Sequence, residues 1–170
     1  MIIVVDAFSS PEFDDHAQAT VPVADAAGDA IATAARRYGV PVIAASLRNR
    51  TAAAQWVLAQ QVSQGDRVRA AIVAAGSDAA SPRFSVEDLL AAGAVIDALA
   101  ELGIDYAAPE AAAACAAFTG LKRAVGHLLT ASVAGKALAA SGRREHVVAA
   151  GKLDSSTNVP VLGDEGYERA

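Results

Sequence analysis

Carboxylates, arginines and hydroxyls gather at three points where short apolar runs of this chain give way to loops. The first run, Ile2 to Val5, delivers Asp6, then Ser9, Ser10 and the acidic group Glu12, Asp14 and Asp15. The second, Val40 to Ala44, delivers Ser46-Leu-Arg-Asn-Arg-Thr51. The third, Val68 to Ala74, delivers Gly76-Ser-Asp78 and then Arg83 to Asp88. Magnesium takes one or two carboxylates and leaves its other positions to water and substrate phosphate, and Asp6, Glu87 and Asp88 are the candidate ligands. Arg83 offers a planar fork that matches a phosphate. Asn49, Thr51, Gly76, Ser77 and Ser85 are candidate contacts to the same anion. Such a set could hydrolyse a phosphomonoester. The cation would polarise the phosphoryl group and lower the pKa of an attacking water, while Arg83 held the charge growing on the equatorial oxygens. Asp6, Arg83 and Glu87 are therefore the catalytic candidates.

The stretch from Ile72 to Gly93 is the most informative. An apolar run passes through a small-residue loop into a helix with two carboxylates in its first turn. Ser85 fits the N-cap, and Asp88 takes the reciprocal place of a capping box ahead of Leu89-Leu-Ala-Ala. Glu87 has no capping duty, which leaves it for function. A helix start beside a strand end places free N–H groups and a positive dipole end where an anion would sit. Thr51 or Asn49 caps the helix after the second run. Arg48 and Arg50 read as solvated loop charges, and Asp14-Asp15-His16 as a solvated acidic turn. His127 and His146 lie in helical stretches without a partnered motif and read as structural or surface residues. Cys115, the only cysteine, sits among alanines and reads as a small core residue.

These groups need a scaffold that brings strand ends together. The apolar runs, with a fourth from Val159 to Leu162, do not alternate with polar residues, which suits strands covered on both faces. Helical stretches lie between them: Val23–Tyr38, Thr51–Gln64, Ser85–Leu102, Pro109–Ala131 and a shorter pair within Ala134–Ala150. Gly39, Gly65 and Gly103 stand where a helix-ending glycine belongs. The order predicts an α/β fold, a single three-layer α/β/α domain with a mostly parallel sheet, over residues 1–163, with 164–170 as a polar C-terminal tail. In such sheets ligands bind at the C-terminal ends of the strands.

Composition narrows the function. At 170 residues, one domain with a single substantial core is expected. The 54% hydrophobic content owes much to alanine, a helix former. No apolar run of about 18 residues predicts a membrane span, and Asp6 interrupts the N-terminus too early for a signal peptide. A cytoplasmic protein is the expectation. A net charge of −5, with no basic stripe, excludes nucleic acid as a general partner. The expected partner is a small anionic or phosphorylated metabolite, and assembly as a homo-oligomer stays open.

The loop and helix at Arg83-Phe-Ser-Val-Glu-Asp88, with the later Ala92-Gly93 step, resemble those of the 2-phosphosulfolactate phosphatase family. Ser132-Val-Ala-Gly-Lys-Ala-Leu-Ala-Ala-Ser-Gly142 is similar to that family's Ser-x-x-Gly-(Lys/Arg)-x-Leu-x-x-x-Gly helix. Lys152-Leu-Asp-Ser-Ser-Thr-Asn-Val-Pro-Val-Leu162 is similar to its closing Asp-x-Ser-x-x-Val-Pro-Val segment. The resemblance spans residues 68 to 162 and implies magnesium-dependent hydrolysis of a small phosphomonoester. The chain also departs from the family pattern. Ser9 stands where the family has arginine, Arg50 replaces a glycine within the Asn49–Thr51 motif, and a Gly-Glu-Arg-Gly-Gly loop has no counterpart. Those departures raise a second reading, a repurposed non-catalytic relative that binds such an anion without cleaving it.

Overall fold

The computed structural model describes residues 1–8, 34–35, 37–75, 84–164 and 166–170. The three leading apolar runs become β1 (Ile2–Val5), β2 (Val42–Ala45) and β3 (Ala71–Ala74). All three are parallel. β1 lies in the middle, with Ile2 beside Val42 on one flank and beside Ala71 on the other. Parallel strands need crossovers, and α1 (Arg50–Gln64) is the one between β2 and β3. It ends at Gly65, whose φ of 64° is the left-handed stop expected from the sequence.

After β3 the chain turns helical: α2 (Val86–Glu101), α3 (Pro109–Leu121), a 3-10 turn (Lys122–Ala124), α4 (Val125–Ala131), α5 (Val133–Ala140) and α6 (Arg144–Ala150). The helix expected to run unbroken from Pro109 to Ala131 is thus divided at Leu121. Ser132 then serves two helices at once. Its amide donates to the Leu128 carbonyl at the end of α4, and its hydroxyl accepts the Gly135 amide at the start of α5. α2 and α3 cross closely at Gly93, where a Cβ would overlap the Ala114 carbonyl.

The sheet is completed by β4 (Pro160–Leu162) and β5 (Tyr167–Arg169), giving the order β3-β1-β2-β4-β5. β4 is antiparallel to β2, and β5 to β4, so the sheet is mixed and not mostly parallel. The cause lies in the chain's route. The segment leaving α6 comes back beside the C-terminal end of β2, where the Ser156 amide bonds the Arg48 carbonyl, and β4 must run back down the sheet from there. The expected polar tail is corrected too. A turn closed by the Gly163 amide on the Gly166 carbonyl folds residues 167–169 back as an edge strand, with Tyr167 buried.

Strand alternation separates two apolar clusters. Ile3, Val5, Ile43 and Ala45 pack with Val57, Leu90, Val95, Phe118, Leu129 and Val147 from the helices. Val4, Val42 and Ala44 point the other way, toward Ala35, Ala75 and Tyr167. Most of the helix expected over Val23–Tyr38 lies outside the described residues. Cys115 on α3 is half-buried, not a core residue. Among the described residues, no helix is long and apolar enough to cross a membrane.

Candidate active site

Asp6 follows β1 directly, and Glu87 and Asp88 open α2. The fold brings these two places together through the turn at residues 6–8. The Ala7 amide donates to Asp88 Oδ1 at 2.9 Å, and the Phe8 amide donates to Asp6 Oδ1 at 2.8 Å. Consecutive peptide groups of one turn thus hold two carboxylates, that of Asp88 coming from 81 residues beyond Ala7. The first half of the expected capping box is present, since Ser85 Oγ accepts the Asp88 amide at 3.2 Å. The Asp88 carboxylate reaches across to β1.

Asp88 and Glu87 are both buried. Burial, and after it the negative charge of Asp6, push the Asp88 carboxyl up to about 7, against the lowering pull of the Ala7 amide and the Ser85 hydroxyl. Glu87 adds a smaller push in the same direction. A hard cation beside Asp88 and Asp6 would relieve that cost. Among the described residues, no three acidic, imidazole or thiol groups converge as a metal cage. Of the expected ligands Asp6, Glu87 and Asp88, Asp6 acts on Asp88 more strongly than Glu87 does. Two carboxylates suffice for magnesium, which keeps several waters.

The loop after β2 has other duties. Asn49 is buried, and its Oδ1 accepts the Ser46 amide at 2.8 Å. Its Nδ2 donates to the carbonyls of Ala44 and Asn158, at 3.3 and 2.9 Å. It occupies the N-cap position of α1 but makes no side-chain cap there. The cap comes from Asp154, whose Oδ1 accepts the Thr51 amide at 3.0 Å. The expected cap by Thr51 or Asn49 is corrected accordingly, and both residues are engaged with the framework.

Arg50 is buried, not a solvated loop charge. Its Nε donates to Asp154 Oδ2 at 2.9 Å and its Nη1 to Asp97 Oδ2 at 2.8 Å, while its guanidinium lies 5.6 Å from the Phe118 ring centre. Lys122 joins from the 3-10 turn after α3, 3.4 Å from the same Asp97 oxygen. Burial works to lower the Arg50 pKa, and the hydrogen bonds and charges of Asp154, Asp97 and Glu101 outweigh it and raise it. Arg48 is buried as well. Residues 154–158 lie over this loop, with the Asp154 amide on the Leu47 carbonyl and the Ser156 amide on that of Arg48.

Gly76, Ser77 and Arg83 lie outside the described residues, as do Ser9 and the acidic group 12–15. Two residues outside the expected site make contacts here. Asp154 stands in the closing segment, and only its left-handed φ of 52° marks it as unusual. His146 on α6 reaches the turn itself, its Nε2 lying 2.9 Å from the Phe8 carbonyl; a lone histidine in a short helix gives no local sign of that.

No curated protein sequence matches this chain. The profile of one family, described as 2-phosphosulpholactate phosphatase, matches residues 14–165. That match covers most of the 170 residues and includes both the helix that supplies Asp88 and the segment that supplies Asp154. The chain belongs to the 2-phosphosulpholactate phosphatase family.

Proposed function

We propose that this protein hydrolyses a small phosphomonoester with magnesium, as the name of its family suggests, in the cytoplasm. The observation that carries the reading is the pairing of Asp6 with Asp88 at the end of β1 and the start of α2. Asp6 and Asp88 would hold the cation, and the turn amides of Ala7 and Phe8 fix their orientation. A magnesium ion bound there supplies Lewis-acid polarisation of the phosphoryl group. The first turn of α2 offers its amides and dipole to the anion, and Arg83, two residues before the Ser85 cap, supplies a fork for the equatorial oxygens. Each such charge-assisted contact is worth about 1.5–3 kcal/mol, so Arg83→Ala should weaken phosphate binding at least tenfold.

A second reading has support of its own. Asn49 and Thr51, expected on the substrate, are tied to Asn158 and Asp154 instead. A relative that binds the anion without turning it over would tolerate that change. Assay of a panel of small phosphomonoesters, with and without magnesium, separates the two. Magnesium-dependent release of phosphate supports hydrolysis. Binding without turnover selects the second reading, and robust hydrolysis in a chelator refutes the metal mechanism.

A further inference from the structure

The turn that joins the two carboxylates has a third fastening. The peptide groups of residues 7 and 8 give their N–H groups to Asp88 and Asp6, at 2.9 and 2.8 Å. The Phe8 carbonyl is met by His146 Nε2 at 2.9 Å, from a residue 138 positions along the chain. A carbonyl only accepts, so Nε2 carries the proton and donates. His146 is half-buried and stands on a firm base. Its neighbour Val147, and Ala150 one turn on, are fully packed in the main core. Gly151, just past the helix, sits against Gly126 so closely that a Cβ would lie 3.1 Å from its Cα. α6 therefore cannot shift easily, and neither can the imidazole it carries.

The need for such a fastening follows from charge. Asp6 and Asp88 repel one another, and although Ala7 is buried, Asp6 and Phe8 on either side of it are only half-buried, so the turn has room to move. Opening would move the two carboxylates apart. Magnesium demands near-ideal geometry at about 2.0–2.1 Å from each ligand oxygen, so small displacements cost affinity.

We infer that His146 is a positioning residue for the cation site: by holding the Phe8 carbonyl, it keeps Asp6 and Asp88 at a separation that one divalent ion can bridge. The role lies outside the ligands themselves, in the manner of the partners that orient metal ligands elsewhere, whose loss typically costs about 10–100-fold in affinity. It requires a donor at that spot and does not require an imidazole. The inference rests on the proposed cation site, and one set of measurements distinguishes failure of either.

The full-length protein and its His146→Ala and His146→Gln variants would be titrated with manganese, followed by the loss of its free-ion electron paramagnetic signal. Amide exchange at Ala7 and Phe8 and the urea midpoint would be read on the same samples. We expect His146→Ala to weaken manganese binding at least tenfold and to speed exchange at Ala7 and Phe8, with the urea midpoint little changed. His146→Gln, whose amide can donate to the same carbonyl, should bind manganese within about threefold of the unaltered protein. Manganese affinity unchanged in His146→Ala overturns the inference, as does an equal loss in the Gln variant. An unaltered protein that binds no manganese overturns the cation site itself, and the inference with it.

Discussion

Asp88 accepts the Ala7 amide at 2.9 Å, so the first turn of α2 and the end of β1 are locked by a single carboxylate. The same carboxylate carries a stability cost. Its pKa stands at about 7 in the folded chain, raised by burial and by Asp6 from an ordinary value of 3.8. Between those pH values the folded protein keeps a proton that the unfolded chain has released. The contribution to stability is thus fully present below about pH 4 and is lost as pH rises through 7. The swing approaches roughly 4 kcal/mol. Without divalent ions, the urea midpoint should fall between pH 5 and pH 8. Asp88→Asn keeps an oxygen for Ala7 and should flatten that fall. Magnesium should then raise the midpoint of the unaltered protein at pH 8 and leave the variant unmoved.

Removing the buried guanidinium of Arg50 should be among the most damaging single changes. Arg50→Met retains much of the contact with Phe118 but leaves Asp97 and Asp154 facing an apolar side chain. Breaking a buried pair on one side costs about 3–5 kcal/mol. Equilibrium unfolding in urea measures it. A loss below about 1 kcal/mol would mean that Lys122 alone neutralises the cluster.

Asp154 joins two demands, a left-handed backbone and a cap for α1. Burial opposes its ionisation, but the bonds from Thr51 and Arg50 prevail and hold its pKa below the usual value. Its contribution is therefore present above about pH 4, the pKa of an unfolded aspartate, and fades as pH falls through the lower folded value. Asp154→Asn tolerates the backbone and keeps one acceptor, whereas Asp154→Ala loses both advantages. The expected order of thermal midpoints at pH 7 is unaltered protein, Asn variant, Ala variant. At pH 2.5 the gaps should narrow.

Asn158 is buried, and its side-chain amide makes no hydrogen bond. Such a group costs about 1–3 kcal/mol in proteins. Asn158→Leu, close in volume, should therefore raise the thermal midpoint. A drop on that substitution would show the amide to be engaged in solution.

Legibility in the sequence followed distance along the chain. β1, β2 and β3 and their parallel course could be read because apolar runs, glycine stops and intervening helices are local signals. The Ser85 cap could be read for the same reason. The loop at 46–51 departs from its sequence pattern because what surrounds Arg48, Asn49 and Arg50 arrives from Asp97 and from residues 154–158. Nothing in Arg-Asn-Arg-Thr distinguishes a solvated loop from a buried one. The return of β4 against β2 was hidden likewise, since a three-residue apolar strand carries no direction.

The clamp of Asp154 over α1 also bears on the order in which the chain acquires its shape. Synthesis releases residues 50 and 51 long before their partner Asp154, 104 and 103 positions downstream. Until then α1 has no acid at its first turn, and Arg50 no counter-charge from Asp154. β2 likewise waits for β4 along one edge. A nascent chain halted before Asp154 would hold the three parallel strands and most of the helices with an unfastened β2 loop. The fastening of the β2 loop is therefore a late step, set by residues 154–162 and not by the strands they fasten.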